Sequence, residues 1–271
     1  MRLFDPNARL RHRMPVFYGP STGPRQGPDG LPFDWSNAPR TVASVSFLTD
    51  AAHLEALLPP GFSLDGDPIV SVEHFNLREL PWLAGRGYEA LGMRFPARFD
   101  GAVDHVRGPL LTVMWENLTD AILTGREELG YSKLFADLPP PAVGERERTY
   151  EASWGGHRFL TLELSNLEDA SPPTAPQVDG LLHYRYFPAV NDASSTDVAT
   201  ATMTPAGAPV RTERFQRGKG TVSFVRSSWE QLPTQYQIVN ALADLPVREW
   251  LGATLAEQRG AKDLSDVRTL R

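Results

Sequence analysis

The chain has no cysteine among its 271 residues, which excludes disulfides, thiolate catalysis and cysteine-ligated zinc. No run approaches the roughly 18 consecutive apolar residues of a membrane helix, and the opening MRLFDPNARLRHR lacks the apolar centre of a signal peptide. A soluble protein with a cytoplasmic address and no membrane partner is therefore expected. Positive charge is also scarce: 27 Lys and Arg stand against 33 Asp and Glu, for a formal charge of −6. Without a basic stripe to neutralise phosphates, no nucleic-acid partner is expected. The histidines at 12, 53, 74, 105, 157 and 183 show neither HxH nor HExxH spacing, so no metal site is expected. Gly85, Gly87 and Gly92 miss the dinucleotide fingerprint, RGKG at 217–220 lacks the Lys-Ser/Thr of a phosphate loop, and GxSxG is absent.

What is present suits an ordinary globular chain, with 41% hydrophobic and 22% charged residues, long enough for one large domain with a sizeable core. Residues 13–39 alternate Pro and Gly with Phe17, Tyr18, Phe33 and Trp35. Such a stretch is neither helix nor central strand. It reads as an ordered N-terminal arm over 1–39, laid on the domain or on a neighbouring subunit so that its aromatics are buried. Thr41 to Phe47 and Pro68 to Phe75 read as strands, the second projecting Ile69, Ser71 and Glu73 on one side and Val70, Val72 and His74 on the other. Asp50 should cap a helix over 50–58 that ends at Pro59-Pro60-Gly61. Leu110 to Trp115 is continuously apolar and fits a strand buried on both faces. Tyr150 to Leu164 reads as a hairpin about Gly155-Gly156. Leu181 to Phe187 and Thr221 to Val225 add strands, Pro-rich loops fall at 137–144 and 170–177, and a helix is expected over 231–243. For Val247 to Leu255, periodicity suggests helix.

The stretch Thr124 to Leu138, TGREELGYSKLFADL, places Lys133 among Tyr131, Leu134 and Phe135. A lysine is a nucleophile only when deprotonated, and burial drives its pKa down by desolvating the ammonium. Most lysines in such segments are instead surface charges with their stems on apolar neighbours.

Gly125-Arg126-Glu127 with Lys133 at its offset resembles the active-site segment of the acetoacetate decarboxylase family. Arg40 resembles a family arginine at the same distance from Thr49-Asp50, Glu73 a family acid after a Pro-hydrophobic strand, and Glu89 a second family glutamate with a one-residue slip before Pro96. Asp244 to Glu249, DLPVRE, also resembles a family segment. The likeness runs from about Arg40 to Leu255, and over Val247 to Leu255 it implies a strand where periodicity implies helix. Two features depart from the pattern. A second lysine follows the reactive one in the best-known family enzyme, and here that place is Leu134. Acetoacetate decarboxylase is itself an established example of a lysine activated by an apolar pocket or a neighbouring cation, so here the apolar route must serve. Leu129 to Phe135 also resembles a family segment just after the reactive lysine; that second register would leave the nucleophile missing, while the first keeps GRE and lysine together without a gap.

The resemblance implies a mainly β (α+β) fold: a single domain over 40–271, with antiparallel, barrel-like sheets enclosing the active site and a few flanking helices. It implies a lyase in which Lys133 forms a Schiff base with a keto acid and decarboxylates it. Glu73 and Glu89 would move protons or position the substrate carboxylate, Arg40 would bind that carboxylate or orient a glutamate, Tyr131 would bind substrate, and no cofactor is needed. Two alternatives stand beside it. One is a Schiff-base aldolase or dehydratase acting on pyruvate or other keto acids, and the other is a non-catalytic binder of small carbonyl compounds. The arm and the family together suggest a homo-oligomer.

Overall fold

The computed structural model describes residues 10–271 apart from 175 and 209. Fourteen strands form one mixed sheet. In chain order they are β1 (Pro39–Leu48), β2 (Phe62–Leu64), β3 (Ile69–Leu80), β4 (Arg86–Asp100), β5 (His105–Glu116), β6 (Lys133–Phe135) and β7 (Ala142–Val143), then β8 (Arg148–Trp154), β9 (His157–Asp169), β10 (Gly180–Pro188), β11 (Thr196–Pro205), β12 (Arg211–Phe224), β13 (Glu249–Arg259) and β14 (Arg268–Thr269). Three short helices flank them, α1 (Ala51–Glu55), α2 (Thr119–Thr124) and α3 (Tyr236–Ala243). The main path runs β14-β11-β10-β5-β4-β3-β1-β13-β12-β9-β8-β7, with β2 on β4 and β6 on β5. Pairings are antiparallel except β5 with β6 and with β10.

The sheet curls without closing. His74 on β3 packs its ring 4.3 Å from that of Tyr150 on β8, and Trp115 on β5 lies 5.2 Å from Phe159 on β9. Strands far apart in hydrogen-bonding order therefore face one another. Between them lies the core, which Ala43, Val45 and Phe47 enter from β1, Val70 and Val72 from β3, Leu91, Met93 and Phe95 from β4, and Leu160, Leu162 and Leu164 from β9. The indole of Trp115 donates to Gln235 Oε1 at 2.7 Å, satisfying its one polar atom and tying the core to the approach of α3.

Several expectations are met and several corrected. The Gly155-Gly156 hairpin forms with both glycines at positive φ, 56° and 84°, where a side chain would be strained. Residues Val247 to Leu255 are not helical, because β13 pairs with both β1 and β12 and its backbone groups are taken by those ladders. Helix α1 is shorter than 50–58, and Asp50 makes no capping bond; its carboxylate is held by both arms of the Arg248 guanidinium, at 2.7 and 2.6 Å. Helix α3 covers Tyr236–Ala243, not all of 231–243. In β5, Thr112 and Met114 are only half-buried, so the strand has one core face and one mixed face. In the arm, Phe17 and Tyr18 are 75% and 80% exposed, so the chain itself does not bury them. No helix among the described residues is long and apolar enough to cross a membrane.

Candidate active site

Lys133 opens β6, whose three residues lie beside Met114, Trp115 and Glu116 of β5. Alternation along β5 turns Trp115 into the core and Met114 and Glu116 to the other face. Lys133, paired with Met114, projects to that second face, while Leu134 packs against the core. Of the three apolar neighbours expected around the lysine, only Tyr131 remains, with its ring centre 5.3 Å from Nζ. Period-two geometry sends Leu134 to the opposite face, and Phe135 is 40% exposed.

Burial of Lys133 comes instead from α2 and the π-helical turn that follows it at Gly125–Leu129. Nζ donates to the Ala121 carbonyl at 3.1 Å and lies 2.8 Å from Glu116 Oε1, with the two side chains 7% and 2% exposed. Gly125 makes this possible: a Cβ there would lie 2.4 to 2.7 Å from Cδ, Cε and Nζ of Lys133. Arg126 Nη1 donates to the Lys133 carbonyl at 2.8 Å, pinning the strand to the turn. The GRE motif thus acts in two ways, Gly125 giving the amine room and Arg126 fixing its backbone.

Electrostatics follow from depth. Burial pushes the Glu116 carboxyl up from its ordinary value, and the Lys133 ammonium pulls it back. Glu116 Oε2 is buried with no hydrogen-bond partner among the described residues. The Tyr88 phenol is raised well above its ordinary value, by burial first and then by Glu116 and Tyr131. Beside Lys133, the Tyr131 ring stacks on His183 of β10 with centres 3.9 Å apart. Tyr131 Oη lies 2.7 Å from Thr204 Oγ1 of β11, and His183 Nε2 lies 3.2 Å from the same oxygen.

Among the other residues read from the sequence, Glu73 shares the lysine's face. Register runs Ser44, Glu73, Gly92, Met114, Lys133 across five strands, so the Glu73 and Lys133 backbones stand about 14 Å apart at the usual strand spacing. The Glu73 carboxylate accepts from Arg94 Nη2 at 2.7 Å. Arg40, also on this face, donates from Nε to Gln258 Oε1 at 2.9 Å; desolvation lowers its pKa and the Glu73 charge opposes that. Glu89 lies elsewhere. It precedes Ala90, which pairs with Glu116, and so points to the opposite face. There it accepts from Asn76 Nδ2 and sits 3.4 Å from His74 Nε2, its pKa raised chiefly by burial.

Sequence reasoning missed Glu116, Arg94, His183 and Thr204. Glu116 carried a signal, since a carboxylate ending an apolar strand two residues after Met114 falls on the face away from Trp115. His183 and Thr204 carried none, because only the sheet brings β10 and β11 to Tyr131. A cavity of about 210 Å³, lined in part by Thr112, Arg126, Tyr131, Ser132 and Arg185, reaches this group only through Tyr131; Lys133, Glu116, His183 and Thr204 do not line it. It exists because β10 pairs with β5 only at Leu110 and β6 only from Met114 onward, so the sheet splits between them. A larger hollow of about 590 Å³, lined by Glu147, Glu163, Lys219 and Trp250 among others, includes none of the Lys133 group. Among the described residues no three His, Asp or Glu side chains are grouped to hold a metal ion.

Solved structures with similar folds include an acetoacetate decarboxylase (17% identity, 88% of each chain, TM-score 0.65). They also include the enduracididine biosynthesis enzyme MppR complexed with pyruvate (17% identity, 90% of this chain and 95% of that one, TM-score 0.67). A third is acetoacetate decarboxylase from Legionella pneumophila (15% identity, 88% of this chain and 86% of that one, TM-score 0.62). No curated protein sequence matches. The family model for acetoacetate decarboxylase (ADC) matches residues 13–263, nearly the whole chain. With that match spanning both the GRE turn and its buried lysine, the chain belongs to the acetoacetate decarboxylase family.

Proposed function

We propose that this enzyme forms a Schiff base between Lys133 and a keto acid and decarboxylates it. The observation that carries the reading is the burial of Lys133 against Glu116. The chain has only three lysines, at 133, 219 and 262, and Lys133 alone is buried.

Glu116 Oε1 is the carboxylate within reach of the amine, and burial raises its proton affinity. It takes one proton from the Nζ ammonium, freeing the lone pair to attack the substrate carbonyl; the carbonyl oxygen takes a second proton from Nζ to become a hydroxyl, and Glu116 returns the first to that hydroxyl as it leaves as water. The protonated imine then accepts the electron pair released when the carboxylate departs as carbon dioxide. Arg40 and the Glu73–Arg94 pair, on the same face, supply the cationic groups for the substrate carboxylate. Glu89, on the opposite face beside His74, does not meet substrate on this reading.

Borohydride reduction after incubation with acetoacetate or pyruvate tests this, with peptide mass spectrometry to locate the adduct. An adduct on Lys133, lost in Lys133→Met, supports the reading; none on Lys133 with any keto acid refutes it. A second reading, aldol condensation or dehydration through the same imine, is favoured by the fold similarity to MppR, one structure of which is complexed with the condensation product of pyruvate and imidazole 4-carboxaldehyde. Carbon dioxide release from β-keto acids, set against aldehyde consumption in the presence of pyruvate, separates the two. The exposed Met14, Phe17, Tyr18 and Leu31 of the arm support a homo-oligomer, which sedimentation would test, and a cytoplasmic location completes the proposal.

A further inference from the structure

Three polar side chains from three segments meet beside Lys133 with no part in forming the imine. His183 is fully buried at 0% exposure. Its ring lies flat on Tyr131, 19° from parallel, and its Nε2 shares the Thr204 hydroxyl with the Tyr131 phenol. Its other nitrogen, Nδ1, is buried and has no hydrogen-bond partner among the described residues. Burial alone calls for a hydrogen-bond partner on each ring nitrogen; what packing leaves unexplained is that Nδ1 has none among the described residues. The Thr204 hydroxyl has one hydrogen and two lone pairs, so it can accept from one neighbour while donating to the other. That makes an unbroken path of exchangeable hydrogens from His183 to Tyr131.

We infer that His183 and Thr204 form with Tyr131 a proton relay that serves the carbon end of the Lys133 enamine, an inference that rests on the imine reading above. Loss of carbon dioxide leaves a carbon–carbon double bond whose terminal carbon must gain a proton. The Tyr131 O–H gives its proton to that carbon, and the double-bond electron pair becomes the new C–H bond. The Thr204 proton passes to Tyr131 Oη, the His183 Nε2 proton passes to Thr204 Oγ1, and the buried Nδ1, unpartnered among the described residues, takes the replacing proton from a water molecule admitted with the substrate. Each group in the chain gains one proton and loses one; besides the carbon, only the histidine tautomer has changed, from Nε2–H to Nδ1–H, and it resets by proton exchange with water before the next turnover. Run backwards, the same chain removes a proton from the carbon next to a protonated imine, the step an aldol reaction needs.

The imidazole never carries net charge in this sequence. That agrees with a His183 pKa pushed down to about 3, by burial first and the Lys133 charge second. A phenol raised to about 12 cannot rest as the anion near neutral pH, which is why its proton must be replaced as it leaves. Through this path His183 and Thr204 are positioning residues, and Tyr131 alone meets the carbon.

The test separates imine formation from carbon protonation. In deuterium oxide, exchange of the methyl hydrogens of acetone or pyruvate is followed by NMR, alongside borohydride trapping on Lys133. Thr204→Val removes the hydroxyl at constant shape, Thr204→Ser keeps it, and His183→Phe keeps the stacked ring. We expect exchange to fall at least tenfold in Thr204→Val and His183→Phe, to return within threefold of wild type in Thr204→Ser, and the adduct yield to hold in all three. Undiminished exchange in Thr204→Val with the adduct intact overturns the relay, as does a parallel fall of exchange and adduct, which marks a structural role. Should His183→Phe fail to fold, the threonine pair decides alone. Absence of any Lys133 adduct in the wild type defeats the imine reading itself, and the relay with it.

Discussion

Replacing Glu116 by leucine leaves the Lys133 ammonium with a single carbonyl partner, Ala121 at 3.1 Å, in a site where its side chain is 7% exposed. Removing one member of a buried pair costs about 3–5 kcal/mol, because the remaining charge loses its partner but not its desolvation. At about 2–4 °C per kcal/mol for a chain of this size, the melting temperature should fall by roughly 6–20 °C. Lys133→Met should cost a similar amount. The double variant Glu116→Leu/Lys133→Met should recover most of the loss, since apolar groups of matching volume replace a pair whose Glu116 Oε2 lacks a partner. Lys133→Met also acquires a pH dependence of its own. Its Glu116 keeps the burial that raises its pKa and loses the ammonium that lowers it. A carboxyl with folded pKa above its unfolded value stabilises fully below the unfolded pKa, and that contribution is lost as pH rises through the folded one. The deficit of Lys133→Met should therefore shrink as pH falls toward the ordinary carboxylate range. Thermal and urea melts of the four proteins across pH 4–8 supply the cycle. Single variants each within about 1 kcal/mol of wild type, or a double variant no better than the worse single, would refute the buried-pair argument.

Gly125 is already helical, with φ −64°, so Gly125→Ala strains no backbone and gains up to about 1 kcal/mol of helix propensity. Its Cβ would lie 2.4 to 2.7 Å from Cδ, Cε and Nζ of Lys133, so the buried side chain must shift away from Glu116 and the lost pairing offsets that gain; borohydride adduct formation should drop at least tenfold, as trapping yield would reveal. His74 and His183 are both pushed down to about 3 by burial, below the unfolded value near 6.5. Their stabilisation is complete above that value and is lost on acidification from about 6.5 toward 3, at about 1.4 kcal/mol per pH unit for each histidine. His183→Phe should flatten this acid limb in a urea-melt series, and a limb as steep as wild type would contradict the burial of a neutral imidazole. The arm is tied to the π-helical turn by Arg25, and more distantly Arg13, on Glu128. Glu128→Ala should expose the arm, and limited proteolysis should show earlier cleavage within residues 10–36.

Much of the frame was legible because it depends on local periodicity. Alternation marked β1 and β3 and put Glu73 on the face away from Val72, and paired glycines marked the β8–β9 turn. Spacing within one segment was legible too, since GRE and Lys133 lie a few residues apart and fold as one turn and strand. Absent cysteine and scarce positive charge set limits that no fold could alter. Tertiary structure decided what depends on strands meeting. The ladders of β1 and β12 made β13 extended against its helical spacing, because two sets of backbone hydrogen bonds outweigh side-chain periodicity. Strand pairing also chose the partners of the lysine: β6 lying parallel on β5 set Glu116 against Nζ, and β10 and β11 brought His183 and Thr204 to Tyr131. The same rule of alternate faces sent Leu134 to the core and Glu89 to His74. A sequence states which residues can alternate, but only the register between strands states what each of them faces.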